Sequence, residues 1–176
     1  PFQRSHLRDM VRLGGMLPNY DVISTVGVLQ DEPPERADLA AALEMVANTT
    51  KPLVLLVSDE RRFPAVLDLI ENLTGNLSET PFLLPYLNPI TPLVLNAGTL
   101  DKMKTSLQRG LPVIFSSYSM VGMNTPIRPA GTLALLLAEQ WAGLAVAQLL
   151  KPGAAIILSM LPAYFDLKTM VSFYDP

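Results

Sequence analysis

The chain of 176 residues contains no cysteine and a single histidine, His6. Without cysteine it can form no disulfide bond, no zinc–thiolate site and no thiol nucleophile, a composition that is typical of a reducing, cytoplasmic setting. His6 falls in a predicted N-terminal helix, where we expect it on the surface. Because no other imidazole is present, Ser-His-Asp catalysis and histidine-ligated metal sites are excluded within this chain.

Charge is also scarce. Charged residues make up 16% of the chain, the formal net charge is −3 and the isoelectric point is near 5.1. Such a chain has no basic surface for nucleic acid or for an anionic membrane, so neither is expected as a partner. No lysine falls inside a predicted strand, which argues against a Schiff-base enzyme that needs a buried amine.

Apolar residues are abundant instead, at 49% of the chain with 16 prolines and a mean hydropathy of +0.31. This is more than a small soluble domain needs, so we expect burial in an oligomer or in a larger core. The start, without methionine or an apolar leader, suggests a segment of a longer protein. The apolar stretch Leu133–Leu150 is interrupted by Glu139, Gln140 and Gln148, which favours a buried helix over a membrane span.

Short apolar runs alternate with segments of helical periodicity along the whole chain. The predicted strands are Val22–Val28, Leu53–Val57, Phe82–Leu87, Val113–Phe115 and Ala155–Leu158. The predicted helices are residues 1–16, Glu35–Asn48, Phe63–Leu73, Leu100–Arg109 and Leu133–Leu150.

The strand runs are continuously apolar and lack hairpin signals, which predicts an α/β fold built of parallel βα units. A closed (β/α)₈ (TIM) barrel takes about 250 residues, so about five units predict a partial barrel within one domain, residues 1–176. A complete five-stranded doubly wound domain is the alternative. No GxGxxG or GxxxxGK[ST] follows a strand, which disfavours its nucleotide-binding forms.

In such folds, functional residues lie where parallel strands end. Tyr86 and Tyr118 fall at two neighbouring strand ends and are expected to face one opening, with Asn88 and Asn124 nearby. Long loops, Asn88–Gly98 and Ser119–Gly131, follow these strands with mostly apolar and amide content, which suits an organic ligand better than phosphate or a metal. We predict Tyr86, Asn88, Tyr118 and Asn124 as substrate-binding residues, with no metal site and no assigned catalytic residue.

Two further polar features have structural explanations. Ser58-Asp59-Glu60 stands where a helix cap is expected. Glu139 is a carboxylate inside an apolar helix, and we expect it to form an ion pair or an amide hydrogen bond across an interface, because an unpaired buried charge is costly.

Short motifs in the second half of the chain resemble the trimethylamine:corrinoid methyltransferase family. The resemblance covers residues 50–176, and the first 50 agree mainly in layout. Its motifs are Asn88-Pro89-Ile90-Thr91-Pro92-Leu93, Gly110-Leu111-Pro112-Val113, Met123-Asn124-Thr125-Pro126, Ala130-Gly131-Thr132, Ala138-Glu139-Gln140, Ala147-Gln148-Leu149-Leu150 and Pro152-Gly153-Ala154.

The resemblance implies a much longer (β/α)₈ barrel that moves a methyl group from trimethylamine, or from a quaternary amine such as glycine betaine, to the Co(I) of a corrinoid. The corrinoid is carried by a separate protein, so this chain binds no cofactor tightly, and the setting implied is methanogenesis. Some members carry pyrrolysine in a late strand, whose equivalent would lie beyond Pro176.

Since cobalt is the nucleophile in that chemistry, the protein would hold and orient a cation, which Tyr86 and Tyr118 could do through cation–π attraction. We expect a homo-oligomer, and a chain that is inactive alone. The alternatives are a non-catalytic structural or oligomerisation segment of a barrel, and another barrel enzyme such as a lyase or an isomerase.

Overall fold

The computed structural model describes residues 1–79 and 81–174, so the last two residues covered by the resemblance lie outside it. The described chain forms two compact units. The first comprises residues 1–86 and 108–112, and the second comprises residues 87–107 and 113–176. The prediction of a single domain remains a prediction, and each unit is described by itself.

The first unit contains a parallel sheet covered by helices. Its strands are β1 (Ile23–Ser24), β2 (Leu53–Leu55) and β3 (Leu83–Leu87), and each pairs in parallel with the next, with Ile23 opposite Leu53 and Leu53 opposite Leu83. Its helices are α1 (Arg4–Met16), α2 (Pro34–Asn48) and α3 (Phe63–Thr74), with a 3₁₀ turn at Glu60–Arg62. The βα pattern predicted for this part of the chain is therefore confirmed.

Lys51 ties the end of α1 to the start of β2. Its ammonium group donates to the carbonyl oxygens of Gly14, Leu17 and Tyr20 at 3.0, 2.5 and 2.6 Å. The last carbonyls of a helix lack partners within the helix, so a cation at this point satisfies them and matches the negative end of the helix dipole. His6 lies exposed on α1, as expected, and its Nδ1 accepts from the Gln3 amide.

The second unit repeats the pattern with longer strands. It contains α4 (Ala97–Gln108), β4 (Val113–Val121), α5 (Pro129–Leu150), β5 (Ile156–Asp166) and β6 (Val171–Phe173). β4 and β5 are parallel, with Val113 opposite Ile156 and Val121 opposite Tyr164. The α/β class is confirmed, and parallel strands follow one another in sequence order inside each unit.

Several details of the predicted strands were wrong. β1 is shorter than the predicted Val22–Val28, and β5 runs to Asp166, past the predicted end at Leu158. β5 then turns back into the antiparallel strand β6, a hairpin without a turn signal in the sequence, and Asp166 closes its turn by accepting from the Lys168 amide and the Thr169 hydroxyl. These hydrogen bonds hold the pKa of the Asp166 carboxyl below its ordinary value. β4 runs six residues past the predicted end at Phe115, and in this added part partners within the protein bind the hydroxyls of Ser116 and Ser117, while the buried Ser119 Oγ has no partner among the described residues.

Helix α5 packs one side against β4 and β5. Six of its residues are buried: Thr132, Leu136, Glu139, Gln140, Gly143 and Ala147. By length and composition α5 is the one helix among the described residues that could cross a bilayer, with a mean hydropathy of 1.6. However, Glu139 and Gln140 are among its most buried residues and bind other parts of the second unit, which is the behaviour of a core helix.

Gly143 sets how closely α5 approaches β4. A Cβ built at this position would overlap the Phe115 ring, and both residues are buried. Helix propensity alone favours alanine over glycine by roughly 0.5–1 kcal/mol, so only this contact opposes the substitution.

We expect Gly143→Ala to destabilise the protein by about 1–3 kcal/mol, because an overpacked core must shift its backbone or its rotamers. The measurement is the free energy of unfolding in denaturant. In a Phe115→Leu background the same substitution should cost less, since the ring is gone. An equal cost in both backgrounds would show that the ring does not limit the approach.

Candidate functional site

β4 presents different side chains to its two faces. Phe115 and Ser117 face α5, where they meet Gly143 and Gln140. Side chains alternate along a strand, so Ser116 and Tyr118 lie on the other face. In parallel register with β5, Ser116 stands opposite Ser159 and Tyr118 opposite Leu161. The face of β4 and β5 that points away from α5 is the candidate site.

This face combines a partly buried polar pair with open apolar surface. The hydroxyl oxygens of Ser116 and Ser159 lie 3.0 Å apart and hydrogen-bond to each other. Tyr118 is half-buried, while Ile157 and Leu161 are 48% and 43% exposed. An aromatic ring beside aliphatic side chains, with few free polar groups, suits an organic ligand rather than a metal or a phosphate.

Asn88 and Asn124 both bind the backbone of β4, one on each side of Tyr118. The Asn88 Nδ2 donates to the Ser116 carbonyl at 2.8 Å, and the Thr99 hydroxyl donates to the Asn88 carbonyl at 2.7 Å. The Asn124 Oδ1 accepts from the Met120 amide at 2.7 Å. Each amide is thereby oriented, and within residues 1–79 and 81–174 the Asn88 Oδ1 and the Asn124 Nδ2 have no hydrogen-bond partner.

The predicted positions of two of the four residues need correction. Tyr118 lies inside β4 rather than beyond its end, and Asn124 belongs to a connection of residues 122–128, shorter than the predicted Ser119–Gly131 because α5 begins at Pro129. Tyr86 is half-buried on β3 and belongs to the first unit. That all four bind substrate remains a prediction.

Glu139 holds the loop of residues 88–96, a connection that the sequence did not predict. The carboxylate is 2% exposed, and it accepts from the Thr91 hydroxyl at 3.0 Å and from the Leu93 amide at 2.8 Å. Leu93 has φ +60° and Thr91–Pro92 is a cis peptide. The carboxylate therefore binds a hydroxyl and a backbone amide of its own unit rather than a group across an interface, and no ion pair of Glu139 is present among the described residues.

The next residue, Gln140, holds the two strands of the site. It is 3% exposed, its Nε2 donates to the Ser117 hydroxyl at 2.7 Å, and its Oε1 accepts from the Ser159 amide at 3.1 Å. Glu139 and Gln140 thus fix the loop, β4 and β5 to one turn of α5. Both residues stand out as polar side chains in an apolar stretch of the sequence, but nothing in the sequence identifies the groups that they bind.

The predicted cap at Ser58-Asp59-Glu60 is confirmed. The Asp59 carboxylate accepts from the Arg61 amide at the start of the 3₁₀ turn and also binds the Arg61 guanidinium. The hydrogen bond from the Arg61 side chain is the main cause of a lowered pKa for the Asp59 carboxyl. Asp38 of α2 accepts from the Ser58 and Asp59 amides, so the acidic groups of this segment bind groups of the first unit.

A family model described as trimethylamine methyltransferase (MTTB) matches residues 2–171, and the chain belongs to this family. It is 28% identical over 165 residues to a glycine betaine methyltransferase of Desulfitobacterium hafniense, which covers 92% of this chain and 34% of that protein. It is also 28% identical over 167 residues to the trimethylamine methyltransferase MttB of Methanosarcina barkeri, with the same coverage of both chains.

The chain thus spans about a third of the length of these relatives. The family resemblance drawn from the sequence is confirmed. Among solved structures, an alanine racemase of Acinetobacter baumannii is similar at 12% identity and a TM-score of 0.35, over 91% of this chain and 60% of that chain. A similarity this low does not support any conclusion about fold or function.

Glu139→Ala should lower the free energy of unfolding by about 1.5–3 kcal/mol, because hydrogen bonds to a buried charged group are lost. Glu139→Gln should cost less, since its amide can still accept from the Leu93 N–H and donate to the Thr91 oxygen. Hydrogen exchange at the Leu93 amide should accelerate strongly in the alanine variant and only slightly in the glutamine variant.

The matched control is Asp101→Ala, which removes an exposed carboxylate from α4 and should change stability by less than about 0.5 kcal/mol. Unchanged exchange at Leu93 in Glu139→Ala would show that the carboxylate does not hold the loop.

Proposed function

We propose that the full-length protein transfers a methyl group from trimethylamine, or from a quaternary amine such as glycine betaine, to the cobalt of a corrinoid carried by a separate protein. The observation that supports this most directly is the family match over residues 2–171, with relatives named for both substrates. We further propose that this chain supplies about five βα units of a (β/α)₈ barrel and that the protein works in the cytoplasm as a homo-oligomer.

The corrinoid would supply a cobalt nucleophile that accepts the methyl group. Among the described residues, no group of three or more histidine, aspartate and glutamate side chains could ligate a metal ion. The donors present on the candidate face are hydroxyls and amides, which suit a polar organic substrate better than cobalt. This chain's part in the reaction is therefore to bind the substrate and orient its methyl group.

Methylated ammonium groups are bound well by aromatic rings, because the negative ring face attracts a cation that has few hydrogen-bond donors. Tyr118 presents such a ring on an open apolar face, opposite Leu161 of β5. Apolar walls also exclude water from the cation, which strengthens the attraction of the ring. We assign Tyr118 as the main contact for the N-methyl groups.

The two asparagines would orient the rest of the substrate. Asn88 keeps its Oδ1 for a donor such as the N–H of protonated trimethylamine, and Asn124 keeps its Nδ2 for an acceptor such as the carboxylate of glycine betaine. Since the other end of each amide is fixed to β4, the free group is held in place before the substrate binds.

Tyr118→Ala in the full-length protein should weaken binding of a methylated ammonium by roughly 0.5–2 kcal/mol, because the ring face is lost. Tyr118→Phe should have a smaller effect, since it keeps the ring. The measurement is corrinoid-dependent demethylation of trimethylamine and of glycine betaine, followed by cobalt absorbance.

Tyr20→Ala is the matched control, because Tyr20 is 55% exposed in the first unit and its assigned hydrogen bonds involve only its backbone N–H and carbonyl. It should leave the apparent substrate affinity unchanged. If Tyr118→Ala also leaves it unchanged, the assignment of Tyr118 is wrong even where demethylation confirms the activity.

A further inference from the structure

The candidate face carries one pair of hydroxyl groups that the proposed function leaves without a role. Ser116 of β4 and Ser159 of β5 stand opposite each other, and their hydroxyl oxygens lie 3.0 Å apart. In the part of the chain that the structure describes, neither hydroxyl has another hydrogen-bond partner. The pair shares one hydrogen bond but has two hydroxyl hydrogens, so one of these hydrogens is left over.

Burial decides which of the two hydroxyls donates to the other. Ser116 is 0% exposed, whereas Ser159 is only partly buried. A buried hydroxyl hydrogen without an acceptor loses its hydrogen bond to water and gains none, while a partly exposed one can still meet water or a ligand. The favoured arrangement therefore has Ser116 donating to the Ser159 oxygen, and the free hydrogen is the one on Ser159.

Both the backbone and the side chain of Ser159 are held in place. The Gln140 Oε1 accepts from the Ser159 amide at 3.1 Å, from the side of α5. On the candidate face the Ser116 hydroxyl binds the Ser159 oxygen, and the Asn88 Nδ2 donates to the Ser116 carbonyl at 2.8 Å. The free hydroxyl hydrogen of Ser159 is thus a donor whose position is set before a ligand binds.

Ser159 lies between apolar side chains and within reach of the Tyr118 ring. Its neighbours on the same face of β5 are Ile157 and Leu161, and both are exposed. Because Leu161 stands opposite Tyr118, Ser159 is the diagonal neighbour of Tyr118 across the two strands. Strand spacing and rise per residue put the Cα atoms of this diagonal pair about 8 Å apart. A cation bound within about 6 Å of the ring centre can therefore carry a second group that reaches Ser159.

We propose that the Ser159 hydroxyl determines specificity at this site, because it favours a methylated ammonium that carries a carboxylate over protonated trimethylamine. The inference rests on the proposed function for the place of the substrate, and it decides between the two substrates named there. A hydrogen bond to a carboxylate is roughly twice as strong as one between neutral groups. Protonated trimethylamine has no acceptor, so it gains nothing from this donor.

The assignment adds to the contacts of the proposed function and gives the serine pair two different roles. Asn124 Nδ2 is already the donor assigned to a carboxylate, and Ser159 is a second one. Ser116 does not touch the substrate, and it acts as a positioning residue because its hydrogen bond fixes the rotation of the Ser159 hydroxyl.

The test measures ligand binding to the full-length protein by isothermal titration calorimetry, at neutral pH and without the corrinoid protein. The ligands are glycine betaine and trimethylamine, and wild type should bind glycine betaine more tightly. Ser159→Ala should weaken the binding of glycine betaine about ten- to a hundred-fold, because a hydrogen bond to a charged group is lost. It should leave the binding of trimethylamine nearly unchanged, which also shows that the variant is folded.

Two further variants separate the roles of the hydroxyls. Ser159→Thr keeps a hydroxyl and should retain most of the preference for glycine betaine. Ser116→Ala should cause a smaller loss than Ser159→Ala, again for glycine betaine alone, because the donor remains but can rotate. Ser119→Ala is the matched control, since Ser119 is a buried serine of β4 on the face towards α5, and it should leave both affinities unchanged.

Three results would overturn the assignment of Ser159. They are wild type that binds glycine betaine no more tightly than trimethylamine, an unchanged affinity for glycine betaine in Ser159→Ala, and an equal loss for both ligands in that variant. Methyl transfer to the corrinoid is measured separately. If binding is as expected but no methyl group is transferred, the proposed function is wrong and the assignment of Ser159 stands.

Discussion

Two adjacent buried polar residues on a largely apolar helix organise the second unit. Glu139 fixes the loop of residues 88–96, and Gln140 fixes β4 and β5 through the Ser117 hydroxyl and the Ser159 amide. Each polar atom that these side chains bury has a partner, which is the condition under which burial is tolerated. A wholly apolar helix could pack on the sheet in several registers. A helix that must also make these hydrogen bonds can pack in a single register.

The candidate site depends on this arrangement. Tyr118 follows Ser117 directly in β4, and their side chains lie on opposite faces of the strand. Because Gln140 holds Ser117 on the face towards α5, it also fixes where the Tyr118 ring lies on the other face. The loop that Glu139 holds begins at Asn88, whose side chain is bonded to the Ser116 carbonyl. Binding groups that are held before the substrate arrives lose little entropy on binding, and this favours recognition of a small cation with few hydrogen bonds.

Much of this could be predicted from the sequence because apolar runs and helix boundaries are local signals. The helices were found to within a few residues, and the family was recognised from motifs spread over the chain. Buried serines hid the true length of β4, because the sequence does not show which distant residues bind their hydroxyls, as Ser159 binds Ser116 and Gln140 binds Ser117. The β5–β6 hairpin was missed for a similar reason, since its turn is closed by Asp166 and contains no Gly or Asn-Gly signal.

The most direct test of the central claim is a crystal structure of the full-length protein with trimethylamine or glycine betaine bound. The account predicts the methylated nitrogen within about 6 Å of the Tyr118 ring centre, over the ring face. It also predicts Asn88 and Asn124 still bonded to β4, and Glu139 still bonded to Thr91 and Leu93. A substrate bound elsewhere, with the Tyr118 ring packed into the protein core, would contradict it.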